Sequence, residues 1–217
     1  MVYLIGDSHT IMYLGMKPEI DPIHFGACTA YSLMSEHSFT NSYNTMKKYL
    51  SEWNIHKDTV IFGFGEIDCR VLIYFKHIKY KINSIQDMVD IVVYRYMSAI
   101  DYVEDLGFKV AVHGPIPAVR QTNEYKLEFY ADEQTRVWIS SKFNMRLQDK
   151  CNMSAIPYFN AHSLPYLRGN DGLVPKEHLL PDLVHVDPNK VPIQEDFRQW
   201  LKTWGILSDK NTQGENK

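Results

Sequence analysis

The sequence contains little cysteine and no long hydrophobic run. Cys28, Cys69 and Cys151 are its only cysteines, an odd and low number for 217 residues, which argues against a disulfide framework and fits a reducing compartment. None of them has Cys-x-x-Cys spacing, so we expect no zinc knuckle. No apolar run approaches the roughly 20 residues of a membrane span, so we expect no membrane insertion.

Signals for secretion and for polyanion binding are also missing. Met1 is followed at once by the apolar residues 2–5, without the basic and apolar segments of a signal peptide, and we therefore expect a cytoplasmic protein. The formal net charge of −3 provides no overall basic field, so we expect no nucleic-acid partner. The basic pair Lys47 and Lys48 and the basic stretch 76–81 are interpreted as solvated faces.

The composition is that of an ordinary globular protein. Apolar residues make up 45% of the chain and charged residues 23%, a balance that supports a sizeable core. The length fits a single α/β domain, which we place at residues 1–207. Residues 208–217 are polar, and we predict that they form a disordered tail.

Strand and helix patterns alternate along the chain. Short apolar or β-branched runs predict strands at residues 2–5, 22–25, 59–64, 109–113 and 155–159. Apolar residues at helical spacing predict helices at residues 43–53, from the N-cap Ser84 to Gly107, at 132–150 and at 193–204. This order predicts a parallel sheet with helices on both faces.

The predicted topology restricts where chemistry can occur, because reactive groups of open α/β sheets gather at the carboxyl ends of the strands. The loops after the first four predicted strands cover residues 6–10, 26–29, 65–70 and 114–117. A late loop at residues 163–189 is rich in Pro, Gly, Asp and His, and we expect it to be ordered. The candidates for chemistry therefore lie in these loops.

Ser8 is the candidate nucleophile. It follows the first strand, two residues after Gly6, so a tight turn can expose its hydroxyl. If a helix begins there, its free N–H groups and dipole favour a developing negative charge. A serine needs a base within hydrogen-bond distance to be an effective nucleophile. The alternative is that Ser8 only caps the helix.

The candidate base is His185. The spacing Asp182-x-x-His185 lets one short turn present both side chains to the same pocket, where His185 can accept the serine proton and Asp182 can fix the imidazole tautomer. His9, His113 and His178 are the competing histidines. For each of these three, a surface or core role is the more frequent one.

These segments resemble the ordered motifs of the SGNH (GDSL-like) hydrolases, over almost the whole chain. The matching blocks are Gly6-Asp7-Ser8 after the first strand, Gly26 after the second, Gly65-x-x-Asp68 after the third and Asp182-x-x-His185 near the C-terminus. The resemblance implies a three-layer α/β/α, flavodoxin-like sandwich with a five-stranded parallel sheet. It also implies hydrolysis or transfer of acyl groups, often acetyl esters of carbohydrates or acyl chains of lipids.

Carried over by position, the resemblance implies a role for each matched residue. Ser8 would be the nucleophile, His185 the base and Asp182 the group that orients the base. The backbone N–H groups of Ser8 and Gly26 would line the oxyanion hole, where one donor is worth about 3 kcal/mol of transition-state stabilisation. This chemistry needs no cofactor and no metal.

The third block departs from the family pattern. SGNH hydrolases usually have Gly-x-Asn-Asp there, with the asparagine as a third oxyanion donor, whereas this chain has Ile67 in the segment GEIDCR. Because Ile67 has no side-chain donor, catalysis would be weakened. The variant resembles a subgroup of SGNH-like proteins found near glycan-assembly functions. Arg70 either replaces the missing donor, binds a sugar carboxylate or phosphate, or pairs with Glu66 or Asp68 to brace the loop.

Further side chains are candidates for substrate binding, namely Asp7, Glu66, Asp68 and Arg70. Glu66 and Asp68 either bind sugar hydroxyls or are buried acids held by backbone N–H groups. Cys69 is interpreted as a buried filler and not as a reactive thiol. Several aromatic residues either form a saccharide surface or belong to the core: Tyr125, Phe129, Tyr130, Trp138, Tyr158 and Tyr166.

The sequence leaves three functions open, of which we favour the first. It is a serine esterase of the SGNH type that removes acetyl or a similar acyl group from a small-molecule or glycan ester through an acyl-enzyme. The second is a glycan O-acyltransferase that uses the same residues with a sugar hydroxyl as acceptor. The third, suggested by Ile67, is a saccharide-binding protein that has kept the fold and lost efficient catalysis.

Overall fold

A parallel sheet of five strands forms the centre of the protein. A computed structural model describes residues 1–121 and 129–208. Its strands are β1 (Val2–Gly6), β2 (Asp21–His24), β3 (Thr59–Gly63), β4 (Lys109–His113) and β5 (Tyr158–Phe159). They pair in the order β2-β1-β3-β4-β5, and every pair is parallel. The predicted parallel sheet is therefore confirmed.

The fifth strand is shorter than the predicted residues 155–159. β5 pairs with β4 through Tyr158 and Phe159 alone. Ala155 has a left-handed backbone with a φ of 55°, and Pro157 has no N–H to donate to a neighbouring strand. Regular pairing therefore begins only after Pro157.

Helices cover both faces of the sheet. Within the described residues the α-helices are α1 (Ser42–Glu52), α2 (Ile73–Tyr80), α3 (Ile85–Asp105), α4 (Glu133–Met153) and α5 (Ile193–Thr203). The predicted helices are confirmed as α1, α3, α4 and α5. The sequence does not predict α2, because Ile73 is its only buried residue and apolar periodicity therefore does not mark it.

Side-chain caps define the starts of the two long helices. Ser84 accepts a hydrogen bond from the Asp87 N–H at the start of α3, as predicted. Asp132 accepts one from the Thr135 N–H at the start of α4. Each cap contributes about 1 kcal/mol to stability.

The sheet separates two hydrophobic cores. Alternate strand residues point to opposite faces, so Ile5 and Phe62 belong to one core and Leu4 and Ile61 to the other. The first core includes residues of α1, α3 and α4. The second includes residues of α5 and of the 3-10 helix Ser8–Met16. The described residues thus form three layers, with helices on both sides of the sheet.

The late loop at residues 163–189 is ordered, as predicted. It contains short 3-10 turns at Pro165–Leu167 and Lys176–His178. An isolated antiparallel bridge joins Leu179 to Val186 and brings the two ends of a tight turn together. The bridge therefore closes the loop segment that carries Asp182 and His185.

The predicted tail begins at the last described residue. Ser208 is exposed, and residues 209–217 lie outside the described residues, so the domain boundary at residue 207 and the disorder of the tail stay predictions. Within the described part of the chain, none of the helices is both long enough and apolar enough to cross a membrane.

β1 and β3 approach each other closely at their carboxyl ends. Gly6 pairs in register with Gly63, and a Cβ on Gly6 would overlap the Gly63 carbonyl oxygen and lie 2.6 Å from Thr10 Cγ2. The Asp7 N–H donates to the same carbonyl at 3.2 Å. The absence of a side chain at Gly6 therefore lets the turn after β1 lie directly against β3.

We predict that Gly6→Ala lowers the free energy of unfolding by about 2 kcal/mol, because the added methyl group meets backbone that cannot rotate away. Chemical denaturation measures this change. Gly15→Ala is the matched control, since a Cβ there would meet the flexible side chain of Gln194 at 3.1 Å, and we expect a change within about 0.5 kcal/mol. Equal effects of the two substitutions would contradict the close approach.

Candidate active site

One part of the site is the turn between β1 and the 3-10 helix Ser8–Met16. Asp7 is the N-cap of this helix, and its side chain accepts a hydrogen bond from the His9 N–H at 3.0 Å. Ser8 is the first residue of the helix, so the interpretation of Ser8 as the cap is wrong. Because Ser8 is at the start of the helix, its backbone N–H has no acceptor within that helix. The Ser8 hydroxyl is left available for another role.

The second part of the site is the turn at residues 182–185. Asp182 Oδ1 accepts hydrogen bonds from the N–H of Val184 at 2.9 Å and of His185 at 3.0 Å. Asp182 Oδ2 lies 2.7 Å from His185 Nδ1. Leu183 adopts a left-handed φ of 58°, which is uncommon for a residue with a side chain and makes the turn tight. One carboxylate therefore holds both the backbone and the imidazole.

The two turns meet at the carboxyl ends of the strands. His185 Nε2 lies 2.7 Å from Ser8 Oγ, although 177 positions separate the two residues in sequence. With Asp182 bonded to the other ring nitrogen, the three side chains form a continuous series from Asp182 through His185 to Ser8. In such a series the serine can transfer its proton to the imidazole while its oxygen becomes a nucleophile.

The local environment favours a neutral His185 beside an ionised Asp182. Burial and the neighbouring His9 lower the pKa of His185 below its usual value, and the hydrogen bond to Asp182 offsets this only in part. Burial alone would raise the pKa of Asp182, but hydrogen bonds from His185 and Val184 lower it below its usual value. At neutral pH His185 is therefore in the form that accepts a proton.

The space beside Gly26 is open. Gly26 follows β2 with a φ of 71°, and a Cβ placed on it would meet no described atom within 4 Å. An oxyanion donor needs such free approach. Ile67 is half-buried in the turn after β3, at the position where the family motif has asparagine. The roles of Ser8 and Gly26 as oxyanion donors stay predictions.

Arg70 is engaged by the protein itself. Its Nε lies 2.7 Å from Glu66 Oε1, one helical turn away, and both side chains are largely buried. The Arg70 guanidinium carbon also lies 5.9 Å from the centre of the Phe129 ring. These are the contacts expected if Arg70 braces the loop after β3. Its roles as oxyanion donor or substrate ligand stay predictions, as does substrate binding by Glu66.

Asp7 and Asp68 are buried beneath the site. They are 1% and 0% exposed. Asp68 accepts hydrogen bonds from the N–H groups of Ala30 at 2.7 Å and Tyr31 at 3.1 Å, and burial raises its pKa to about 7 in spite of them. Asp7 caps the helix that begins at Ser8. Because both carboxylates hold protein backbone, the structure does not place them as the substrate ligands that we predict from the sequence.

Cys69 is a buried, free thiol, like the other two cysteines. Burial, together with the nearby acids Asp68 and Glu66, raises the pKa of the Cys69 thiol well above its usual value. A thiol held in its protonated form is a poor nucleophile. Cys69 is therefore a filler, as the sequence predicts.

The aromatic candidates divide between core and surface. Tyr158 is buried, and its hydroxyl donates to Asn144 Oδ1 at 2.6 Å. Tyr166 is half-buried and donates to Asp196 Oδ2 at 2.6 Å. The remaining candidates differ: Tyr130 and Trp138 are exposed, Phe129 is half-buried, and Tyr125 lies outside the described residues.

His9 has contacts that the sequence does not indicate. It is buried, its ring centre lies 4.8 Å from that of His185, and its Nε2 lies 3.3 Å from the Val184 carbonyl oxygen. The only available signal is its position next to Ser8. Nothing local in the sequence shows that its ring reaches a turn so distant along the chain.

The other competing histidines have structural contacts. His113 is buried against the hydroxyl of Tyr13, and burial lowers its pKa to about 4. His178 Nδ1 lies 2.7 Å from the Tyr166 carbonyl oxygen. Within residues 1–121 and 129–208, no group of three or more His, Cys, Asp or Glu side chains is arranged to hold a metal ion.

Comparisons with known proteins find matches among solved structures. No protein-family model and no curated protein matches the sequence. A GDSL-like lipase from Bacteroides thetaiotaomicron has a TM-score of 0.57 at 15% identity, over 94% of this chain and 86% of that one. The aryl esterase of M. smegmatis has a TM-score of 0.56 at 16% identity, over 93% and 98%. An acetyl xylan esterase has a TM-score of 0.55 at 15% identity, over 96% and 100%.

These likenesses cover nearly the whole chain, and at such low identities they show the fold alone. In this chain the fold is a parallel sheet between helical layers, and Ser8 follows its first strand after Asp7. The chain therefore has the α/β fold of the SGNH, or GDSL-like, hydrolases, as the resemblance of its motifs implies.

Proposed function

We propose that the protein is a serine ester hydrolase of the SGNH type. The observation that carries the proposal is the 2.7 Å distance between Ser8 Oγ and His185 Nε2, continued by 2.7 Å from His185 Nδ1 to Asp182 Oδ2. The fold shared with a GDSL-like lipase and two esterases supports it.

In the proposed reaction, Ser8 Oγ attacks the carbonyl carbon of the ester while its proton passes to His185 Nε2, and Asp182 stabilises the imidazolium. The negative oxygen of the tetrahedral intermediate accepts hydrogen bonds from the N–H groups of Ser8 and Gly26. The bond to the leaving alcohol then breaks, and His185 returns the proton to the alcohol oxygen. Water, deprotonated by His185, hydrolyses the acyl-enzyme, releases the acid and restores Ser8.

The proposed substrate is an acetyl or similar short acyl ester of a carbohydrate. One structurally similar protein is an acetyl xylan esterase. The exposed rings of Tyr130 and Trp138 offer apolar faces on which a sugar can stack. Glu66 and Arg70, in the loop after β3, are the proposed polar contacts. A cytoplasmic location, expected from the sequence, belongs to the same proposal.

Ile67 favours a second candidate function, a saccharide-binding protein with weakened catalysis, because it removes a side-chain donor from the oxyanion hole. A glycan O-acyltransferase would use the same serine chemistry with a sugar hydroxyl in place of water. Product analysis separates the three, since hydrolysis releases free acid, transfer acylates a saccharide, and binding alone does neither.

We predict that Ser8→Ala lowers kcat/KM for a chromogenic acetate ester by about 10³-fold or more, because the attacking oxygen is lost. Steady-state kinetics measure this loss. Ser98→Ala is the matched control, since Ser98 is exposed on α3 and its hydroxyl donates to the Tyr94 carbonyl of the same helix. Hydrolysis that survives in Ser8→Ala would rule out the proposed nucleophile. Saccharide binding unaffected by Ser8→Ala, in a protein without esterase activity, would favour the second candidate.

The pH dependence of the reaction follows from His185. Because the neutral imidazole is the base, we predict that kcat/KM falls as the pH falls through the pKa of His185, which burial and His9 hold below its usual value. More than half of the maximal rate therefore remains at pH about 6.5, and the rate is lost under more acidic conditions. Asp182→Asn removes a contact that raises this pKa, so the acid limb moves to lower pH and the maximal rate falls. An acid limb above pH about 6.5 in the wild type would contradict this assignment.

We predict that Ile67→Asn increases kcat, because the new amide can donate to the oxyanion as the family asparagine does. We expect a rise of about tenfold or more, measured with the same chromogenic ester. Ile67→Leu is the control, since it changes the shape of the side chain without adding a donor. A rise of equal size in both variants, or no rise in Ile67→Asn, would show that position 67 does not face the oxyanion.

A further inference from the structure

His9 lies between the two turns of the site. Its Nδ1 lies 3.3 Å from Asp7 Oδ1, an ion-pair distance without the alignment of a hydrogen bond. Its Nε2 lies 3.3 Å from the carbonyl oxygen of Val184, which belongs to the turn that carries His185. One buried imidazole thus contacts the turn of Ser8 and the turn of His185.

Both ring nitrogens of His9 face groups that can only accept a proton. An ionised carboxylate and a carbonyl oxygen have no hydrogen to donate, so a neutral imidazole would direct a lone pair at one of them. The doubly protonated ring suits both. Burial alone would lower the pKa of His9, but Asp7, the nearby Glu66 and the Val184 carbonyl together raise it above its usual value.

We propose that His9 is a positioning residue, an imidazolium that holds the turn carrying Ser8 against the turn carrying Asp182 and His185. This role rests on the proposed function of those three residues. His9 exchanges no proton in the proposed reaction. It acts through the distance between Ser8 and His185 and through its own charge.

A contact from outside the turn at residues 182–185 helps to fix the position of that turn. The bonds of Asp182 hold Val184 and His185 within the turn itself, and Leu183 is in a left-handed conformation. The contact of His9 with the Val184 carbonyl links this turn to the start of the 3-10 helix Ser8–Met16. A shift of about 1 Å between reacting groups can cost about 100-fold in rate, so a small displacement of the turn matters.

The charge of His9 also acts on His185. Their ring centres are 4.8 Å apart, and two imidazolium ions at this distance repel each other. A protonated His9 therefore makes His185 a weaker base toward Ser8 and, once His185 is protonated, a stronger acid toward the leaving alcohol. A neutral side chain at position 9 would remove both effects.

NMR of the ¹⁵N-labelled histidine rings tests the proposal without a substrate. We expect both nitrogens of His9 to carry protons at pH 6, and we expect His9→Gln to raise the pKa of His185 by about one unit. His178→Gln is the matched control, because its ring contacts a different carbonyl, that of Tyr166, and it should leave the titration of His185 unchanged. An unprotonated His9 nitrogen at pH 6 overturns the proposal, even if His9→Gln does not fold.

Kinetics test the positioning role. We expect His9→Gln to lower kcat by about tenfold or more with KM within about twofold, and to move the acid limb of the pH profile upward with the pKa of His185. A merely structural role would leave the acid limb in place, and that result overturns the proposal. If the wild type lacks esterase activity the proposed function fails, while the ring titrations still decide the charge and coupling of His9.

Discussion

The proposed function depends on one hydrogen bond, between a hydroxyl that follows the first strand and an imidazole in the last loop. Ser8 leaves the sheet directly from β1, which lies between β2 and β3. His185 reaches the same edge only after the chain has completed all five strands. The close approach of Gly6 to Gly63 sets the position of one partner, and the carboxylate of Asp182 sets the position of the other. The 2.7 Å contact therefore requires the whole domain to be packed.

Buried charge surrounds this contact and determines where protons reside. Burying a charge costs several kcal/mol unless it is paired, and here the pairs are Asp7 with His9 and Glu66 with Arg70. Two neighbouring imidazoles have pKa values shifted in opposite directions, upward for His9 and downward for His185. Perturbed groups gathered at one edge of a sheet are typical of functional sites, and environments that push neighbouring pKa values apart are typical of acid–base chemistry.

Much of the fold could be predicted because most elements bury a regular apolar pattern. α2 could not, since it buries Ile73 alone, and the length of β5 depends on the backbone of Ala155. The meeting of Ser8 with His185 follows from the order of motifs on a parallel sheet. The contacts behind it do not, because the ion pair of Arg70 and the approach of His9 to a carbonyl 175 positions away depend on how distant segments pack.

The activation of Ser8 by His185 is the central claim, and covalent labelling tests it most directly. Wild-type protein would be treated with a fluorophosphonate, its intact mass measured, and the modified peptide sequenced by mass spectrometry. We expect one adduct, on Ser8, and no adduct in His185→Ala, because the hydroxyl is a poor nucleophile without its base. An unmodified Ser8 in the wild type, or labelling of Ser8 at the same rate in His185→Ala, would contradict the claim.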